Sequence, residues 1–246
     1  MFVISLFNLK GGVGKTASCV NFAYMAAKDG YKTLLWDLDP QGAAGFYYDV
    51  QPDEKDLAKK IIAQSVNIED AIVPTAYEGI DLIPADISAR KLDIFLEENK
   101  ASKKQLKSIL KSIDKLYDFV FIDCPPGFSL LADNIFHASD VVFMPVIPTT
   151  LSVRTYEIVK NHFADKTELD KLMCFFSMVD VRKNMHKDVM TQLYKDKRFF
   201  EYYIPYMSDI EKMGVHAAPI ESYAPSSYAA TCYRALWNEI KEGILE

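Results

Sequence analysis

The chain has 246 residues, half of them hydrophobic and a quarter charged, with a formal net charge of −6. That is ample apolar material for one buried core, and the acidic balance excludes a generally basic nucleic-acid binder. No apolar run approaches the roughly 20 residues that span a bilayer, and no linker-like or repetitive stretch divides the chain, so residues 1–246 read as a single domain.

The first apolar run is Phe2–Phe7. It reads as a strand rather than a signal peptide, because polar residues begin at Asn8 before a long apolar region develops. Lys10-Gly11-Gly12-Val13-Gly14-Lys15-Thr16 follows, then a helical pattern over 15–29. Strand, glycine turn and helix start let successive backbone N–H groups point at phosphate oxygens. Lys15 then reaches the terminal phosphates, and the Thr16 hydroxyl can ligate Mg²⁺. The loop carries a second lysine, Lys10, that the motif G-x-x-x-x-G-K-[ST] does not require. That surplus cation is well placed to reach across to a facing subunit's nucleotide, since two identical loops make a self-complementary C₂ interface. A cation supplied in trans raises phosphoryl-transfer rates by about 10³–10⁵. The alternative is an exposed lysine beside a turn.

The second strand is predicted at Thr33–Trp36, leading into Asp37-Leu38-Asp39-Pro40-Gln41-Gly42. Asp37 and Asp39 lie two apart, so in extended chain they point to one side. Asp39, nearer the loop tip, is expected to position an attacking water, and Asp37 to support the metal shell. A plain Asp-Pro turn is the other reading, with more weight for Asp37. A helix is predicted over 54–64, a strand at Ile80–Ile83 and a long helix over 88–114. Strand Phe119–Ile122 precedes Asp123-Cys124-Pro125-Pro126-Gly127. An aspartate ending an apolar strand, paired with the lysine–threonine loop, reads as a Walker B residue that orders Mg²⁺ through water; alone it would read as a turn cap.

Further helices are predicted over 129–138, 151–164, 186–196 and 227–244, alternating with strands at Val141–Met144 and Met173–Phe176. Continuous apolar runs suit strands buried on both faces of a parallel sheet. Their alternation with helices predicts an α/β fold, a doubly wound, mostly parallel sheet with helices on both faces. Ligands in such folds bind at the carboxyl ends of the strands, where the three polar motifs fall.

Other residues carry weaker signals. Arg182, Lys183, Lys187, Lys195, Lys197 and Arg198 form a basic cluster suited to polyanions, and the lysines of 100–115 read as a solvated face. Cys19, Cys124, Cys174 and Cys232 show no paired ligand spacing and read as reduced, buried thiols of a cytosolic protein. The four histidines show no ligand spacing either. Tyr202, Tyr203 and Tyr206 suit either an adenine pocket or a partner surface.

Together these motifs resemble one family. Lys10–Thr16 is similar to the deviant Walker A motif of the ParA/MinD ATPases, Asp37–Gln41 to their A′ box, and Asp123–Pro126 to their switch II. The resemblance runs on through Ala138–Val146, Met178–Arg182, Tyr203–Pro205 and Ala218–Tyr223, and is closest to the ParA/Soj branch. It implies a P-loop NTPase-like fold, ATP and Mg²⁺ as cofactors, and an ATP-dependent sandwich homodimer. Lys10 would act in trans, with Lys15 and Asp39 as its catalytic companions. Gly11, Gly12, Val13, Gly14, Lys15, Thr16, Ala17 and Pro205 would hold nucleotide, and Thr16, Asp123 and Asp37 the metal. Slow hydrolysis would be stimulated by a ParB-like or adaptor partner, to partition DNA or position a large cargo, in the cytoplasm and on the nucleoid. No membrane partner is expected, since the stretch Ala235–Glu246 is acidic, unlike the basic amphipathic end of a membrane-cycling MinD-type regulator. An ATP-dependent biosynthetic ligase is a further alternative. ParA/Soj relatives commonly read Ile-Pro-Arg where this chain has Ile204-Pro205-Tyr206, and carry arginine in the segment matching 224–228. DNA binding is therefore expected to be modest, salt-sensitive and dependent on the 182–198 cluster.

Overall fold

Seven strands form a single sheet in the order β3-β4-β2-β5-β1-β6-β7. The computed structural model describes all residues except 53–54, 99–102, 166–167 and 246. In chain order the elements are β1 (Phe2–Leu6), α1 (Lys15–Lys28), β2 (Thr33–Asp37), α2 (Ala43–Tyr47), α3 (Leu57–Ile62), β3 (Val73–Pro74), β4 (Ile80–Ile83), α4 (Leu92–Glu98), α5 (Gln105–Leu110), β5 (Phe119–Asp123) and α6 (Leu130–Ala138). Then come β6 (Val141–Val146), α7 (Thr150–Asp165), β7 (Leu172–Phe176), α8 (Asn184–Leu193), three short helices α9 (Ser208–Glu211), α10 (Met213–His216) and α11 (Ile220–Tyr223), and α12 (Tyr228–Leu245). Every pairing is parallel except β3 with β4.

The buried runs behave as double-faced strands should. Val120 and Ile122 of β5 face one side with Leu34 and Trp36 of β2, beneath α3 to α8. Phe119 and Phe121 face the other with Leu35, beneath α1 and α12. The register sets Leu6 and Asp37 level with Asp123, so the first, second and fifth strands end flush. Three polar loops therefore leave the sheet side by side.

The helix expected over 88–114 is not continuous. It is a 3₁₀ turn over Ile87–Lys91 running into α4, then α5 and a second 3₁₀ turn over Lys111–Ile113, with residues 99–102 between them outside the described set. Leu92 and Leu96 serve one buried stripe and Leu106, Ile109 and Leu110 another. Strand β3 carries no sequence signal, being two residues with a proline, a residue tolerated at an edge.

Helix α12 is a core helix. Trp237 is fully buried and packs against Phe22, Phe119 and Phe121, while its Nε1 donates to Asp29 Oδ2 at 2.9 Å. Arg234 and Lys241 pair with the same aspartate. Among the described residues no helix is long and apolar enough to cross a membrane. Trp237→Ala is expected to destabilise the fold by about 3–5 kcal/mol, a fall in Tm of roughly 10 °C by calorimetry. A change under about 2 °C would show that α12 is not a core element.

Candidate functional site: a phosphate-binding groove at the strand ends

Helix α1 begins without a side-chain cap. Its N-cap is Gly14, at φ 91°, and the first turn holds no acidic residue. The first intrahelical bond runs from Ser18 N to Gly14 O, so the N–H groups of Lys15, Thr16 and Ala17 precede the helical ladder. Such an end favours an anion. Gly14 is required twice: its φ suits glycine, and a Cβ there would come within 2.9 Å of Ser177 Oγ. A Cβ on Gly11 or Gly12 would meet nothing within 4 Å, because that side of the loop faces an open groove.

The loop is anchored from below. Asn8 donates from Nδ2 to Pro145 O and accepts from Lys10 N through Oδ1. Lys15 is only 5 % exposed and its Nζ lies 3.4 Å from Lys10 O, folded back over the loop. Lys10 itself is half-buried and does not line the groove.

Thr16 donates its hydroxyl to Asp123 Oδ2 in a short hydrogen bond. Asp123 is fully buried, and its Oδ1 has no hydrogen-bond partner among the described residues. Burial raises its carboxyl to about pKa 7, against the lowering effects of the Thr16 bond and the Lys15 charge; Asp39 adds a further raising effect. A buried carboxylate with an unused oxygen beside a hydroxyl, next to an anion site, fits Mg²⁺, which takes few protein ligands and completes its shell with water and phosphate. Among the described residues no cluster of three or more His, Cys, Asp or Glu side chains forms an alternative metal cage.

Asp37 and Asp39 do not make the side-by-side pair that their spacing predicts. Strand β2 ends at Asp37, and the chain turns. Asp37 is buried and accepts from Asp39 N and Ala44 N, both at 3.0 Å, one on each oxygen. It closes the loop, and its carboxyl is pushed well above its ordinary range by burial first and then by Asp123. Asp39 lies beyond the turn, accepts from Gln41 N, and lines the groove.

The groove encloses about 800 Å³, a size suited to a nucleotide. Gly11, Gly12, Gly14, Lys15, Thr16 and Ala17 lie along it, with Pro125 and Pro126 of the β5–α6 loop opposite. Sequence reasoning missed Tyr47, Arg90, Met178, Ile210 and Glu211, which also line it. Only Tyr47 had a local signal, as an aromatic soon after the Asp37 loop; the rest come from elements whose approach depends on tertiary packing. Pro205 is not among the lining residues: it is buried and bridges Val179, bracing the backbone beside Met178. Tyr202 and Tyr206 are also outside the lining, 52 % and 56 % exposed.

The basic cluster divides in two. Arg182, Lys183 and Lys187 are exposed near the start of α8, at the strand-end side of the sheet. Lys195, Lys197 and Arg198 lie past its other end, about 15 Å along a ten-residue helix. Arg182 is held in a two-pronged pair by Asp180. Arg198 and Lys160 both bind Asp196 at 2.9 Å, together with the Tyr156 hydroxyl. Burial raises the Asp196 carboxyl, but those hydrogen bonds outweigh it and hold it well below the usual carboxylate range. His186 is buried and accepts from Asp180 N through Nδ1. All four cysteines are free and buried.

Comparison with known proteins agrees with this geometry. A family model described as an AAA domain matches residues 1–169. The chromosome-partitioning ATPase Soj of Treponema pallidum is 32 % identical, over 95 % of this chain and 94 % of that protein. The sporulation initiation inhibitor protein Soj of Bacillus subtilis strain 168 is 30 % identical, over 97 % of each. A plasmid partition protein of Borrelia burgdorferi B31, crystallised with AMPPNP, superimposes with a TM-score of 0.84 at 21 % identity, covering 99 % of both chains. Carrying the AAA domain and full-length kinship to Soj, this chain belongs to the ParA/MinD family of ATPases, close to its Soj/ParA branch.

Proposed function

We propose that the chain is an ATP-driven switch: it binds ATP with Mg²⁺, pairs with a second copy while the triphosphate is intact, and separates after slow hydrolysis. The observation that carries this reading is the unpartnered Oδ1 of Asp123 beside Thr16, directly beneath an uncapped helix start. Mg²⁺ held by Thr16 and Asp123 would offset phosphate charge and orient the terminal phosphate. The loop N–H groups and Lys15 grip the phosphates. Asp39, past the turn that Asp37 closes, holds the attacking water. Lys10, which does not line its own groove, serves the partner's.

The named relatives suggest the biological use. Two are partitioning or Soj proteins and one is a plasmid partition protein. For this chain the corresponding role is moving DNA or a large cargo, with a ParB-like or adaptor protein stimulating hydrolysis in the cytoplasm. Arg182, Lys183 and Lys187, on the same side as the groove, are the proposed contacts for a DNA backbone. Three cations support only weak, salt-sensitive binding. Lys195, Lys197 and Arg198 face elsewhere and do not extend that surface.

Size in solution tests the switch. With Mg²⁺ and a non-hydrolysable ATP analogue the protein should sediment as a dimer, and with ADP as a monomer. The same mass in both states would refute it.

A further inference from the structure

We propose that Phe128 positions the loop that walls the groove opposite the glycine turn, and that His162 is the residue holding Phe128 in place. This inference rests on the ATP-site reading above and adds to it a pair of positioning residues that lie outside the groove.

The loop after β5 supplies Pro125, Pro126 and Ser129 to the groove. Both of its ends are fixed. Cys124 N donates to Leu6 O at 3.3 Å, just past the level where the strands end flush. Ser129 caps α6, its hydroxyl accepting from Ala132 N at 3.1 Å. The stretch between has no such ties. Pro125 and Pro126 have no N–H to give. Gly127 sits at φ 102°, and a Cβ there would meet nothing within 4 Å, so the loop has room to move. Among the described residues no hydrogen bond reaches the backbone of residues 125–128.

One side chain ties this stretch down. Phe128 is 38 % exposed and does not line the groove. Its ring stacks on Phe7, with centroids 5.7 Å apart and planes at 29°, and on His162, at 4.0 Å and 23°. Phe7 is fully buried, meets Phe136 of α6 edge-on at 4.7 Å, and directly precedes Asn8, whose side chain anchors the glycine loop. His162 comes from the end of α7. Its Nε2 lies 3.4 Å from Oδ1 of Asp133 on α6, a carboxylate that also pairs with Lys103 at 3.2 Å. Both neighbours of Phe128 are thus held by contacts of their own. The stack therefore restrains the loop, and it ties the end of β1, the β5–α6 loop and α7 together.

Offset stacking of this kind favours one ring placement over others. A loop without backbone bonds shifts once its packed ring is lost. Misplacement by about 1 Å costs a reaction up to about 10²-fold in rate. Binding depends on the glycine loop and Lys15, which the shift leaves in place, so turnover should suffer more than affinity.

ATP turnover with Mg²⁺, chymotrypsin cleavage after residue 128 in the ATP-free protein, and Tm are measured on wild type, Phe128→Ala, Phe128→Tyr, His162→Ala, His162→Phe and the double alanine variant. Phe128→Ala should lower kcat on the order of tenfold or more with KM within about threefold, while Phe128→Tyr keeps the wild-type rate. His162→Ala should lower kcat in the same way and speed the cut after Phe128 severalfold. His162→Phe, a ring without the charge, should restore both. Two residues acting as one unit give non-additive losses, so the double variant should be no slower than Phe128→Ala. A kcat for Phe128→Ala within about twofold of wild type, unchanged cleavage in His162→Ala, or additive losses would each overturn the inference. So would a loss that follows a fall in Tm and that neither ring-keeping variant restores, since the stack would then be structural alone. Absence of ATP turnover in wild type would overturn the ATP-site reading itself, and this inference with it.

Discussion

Lys15→Ala is expected to weaken ATP binding at least a hundredfold, about 3 kcal/mol or more, by loss of charge-assisted hydrogen bonds to phosphate. The side chain is poised for that work. It is buried, yet among the described residues its ammonium meets only the carbonyl of Lys10 at 3.4 Å and no carboxylate within bonding distance. A buried charge with so weak a partner contributes little to the folded state without ligand. Its removal should therefore leave Tm within about 3 °C of wild type. A second loss reinforces the first. Lys15 is one of the groups lowering the raised pKa of Asp123, which stands at about 7. Without Lys15 that carboxyl moves further up, and at neutral pH a larger share is protonated and unable to bind Mg²⁺. The variant's ATP affinity should consequently recover partly as pH rises from 7 to 9. Calorimetric titration with ATP and Mg²⁺, beside a thermal melt, reads both effects. ATP affinity within threefold of wild type would remove Lys15 from the phosphate site.

Much of this architecture is legible in the sequence because its strands are buried on both faces. A run such as Phe119–Ile122 has no polar alternation to confuse with an exposed strand. Loops beginning with Asn8, Asp37 and Asp123 announce the strand ends, and parallel register brings those ends together. What stayed hidden depended on where strands stop and on distant segments. The pairing of Asp37 with Asp39 assumed extended chain through position 39. The chain instead turns after Asp37, whose oxygens close that turn. Pro205 was expected in the nucleotide site through the family resemblance of Tyr203–Pro205; it bridges Val179 and does not line the groove. The basic residues of 182–198 read as one cluster because they are close in sequence, but the length of the helix between them carries them to opposite ends. Met178, Ile210 and Glu211 enter the groove only because the segment after β7 folds back over it, and no local pattern announces that.

Lys10→Ala carries the largest expected effect on rate. It should leave ATP affinity within about threefold and reduce partner-stimulated hydrolysis by about 10³, the lower range for a cation supplied across an interface. The reason for expecting it in trans is geometric. The Lys10 backbone is pinned by Asn8 on one side and approached by Lys15 on the other. Its side chain lies outside the groove that Lys15 and Thr16 line. A residue so held is placed to serve phosphates on a facing molecule. Mixing two inactive variants distinguishes this from an action within one subunit. Lys10→Ala retains Asp39, and Asp39→Ala retains Lys10; both keep the phosphate loop and so both should pair. In a mixed dimer the Lys10→Ala subunit receives the intact lysine of its Asp39→Ala partner, which makes one working site. An equal mixture should then hydrolyse at about a quarter of the wild-type rate, since half of the two-fold dimers are mixed and each has one active site of two. If Lys10 acted within its own subunit, no pairing could restore a site that lacks it. A mixture as inactive as either variant alone would therefore end the trans assignment.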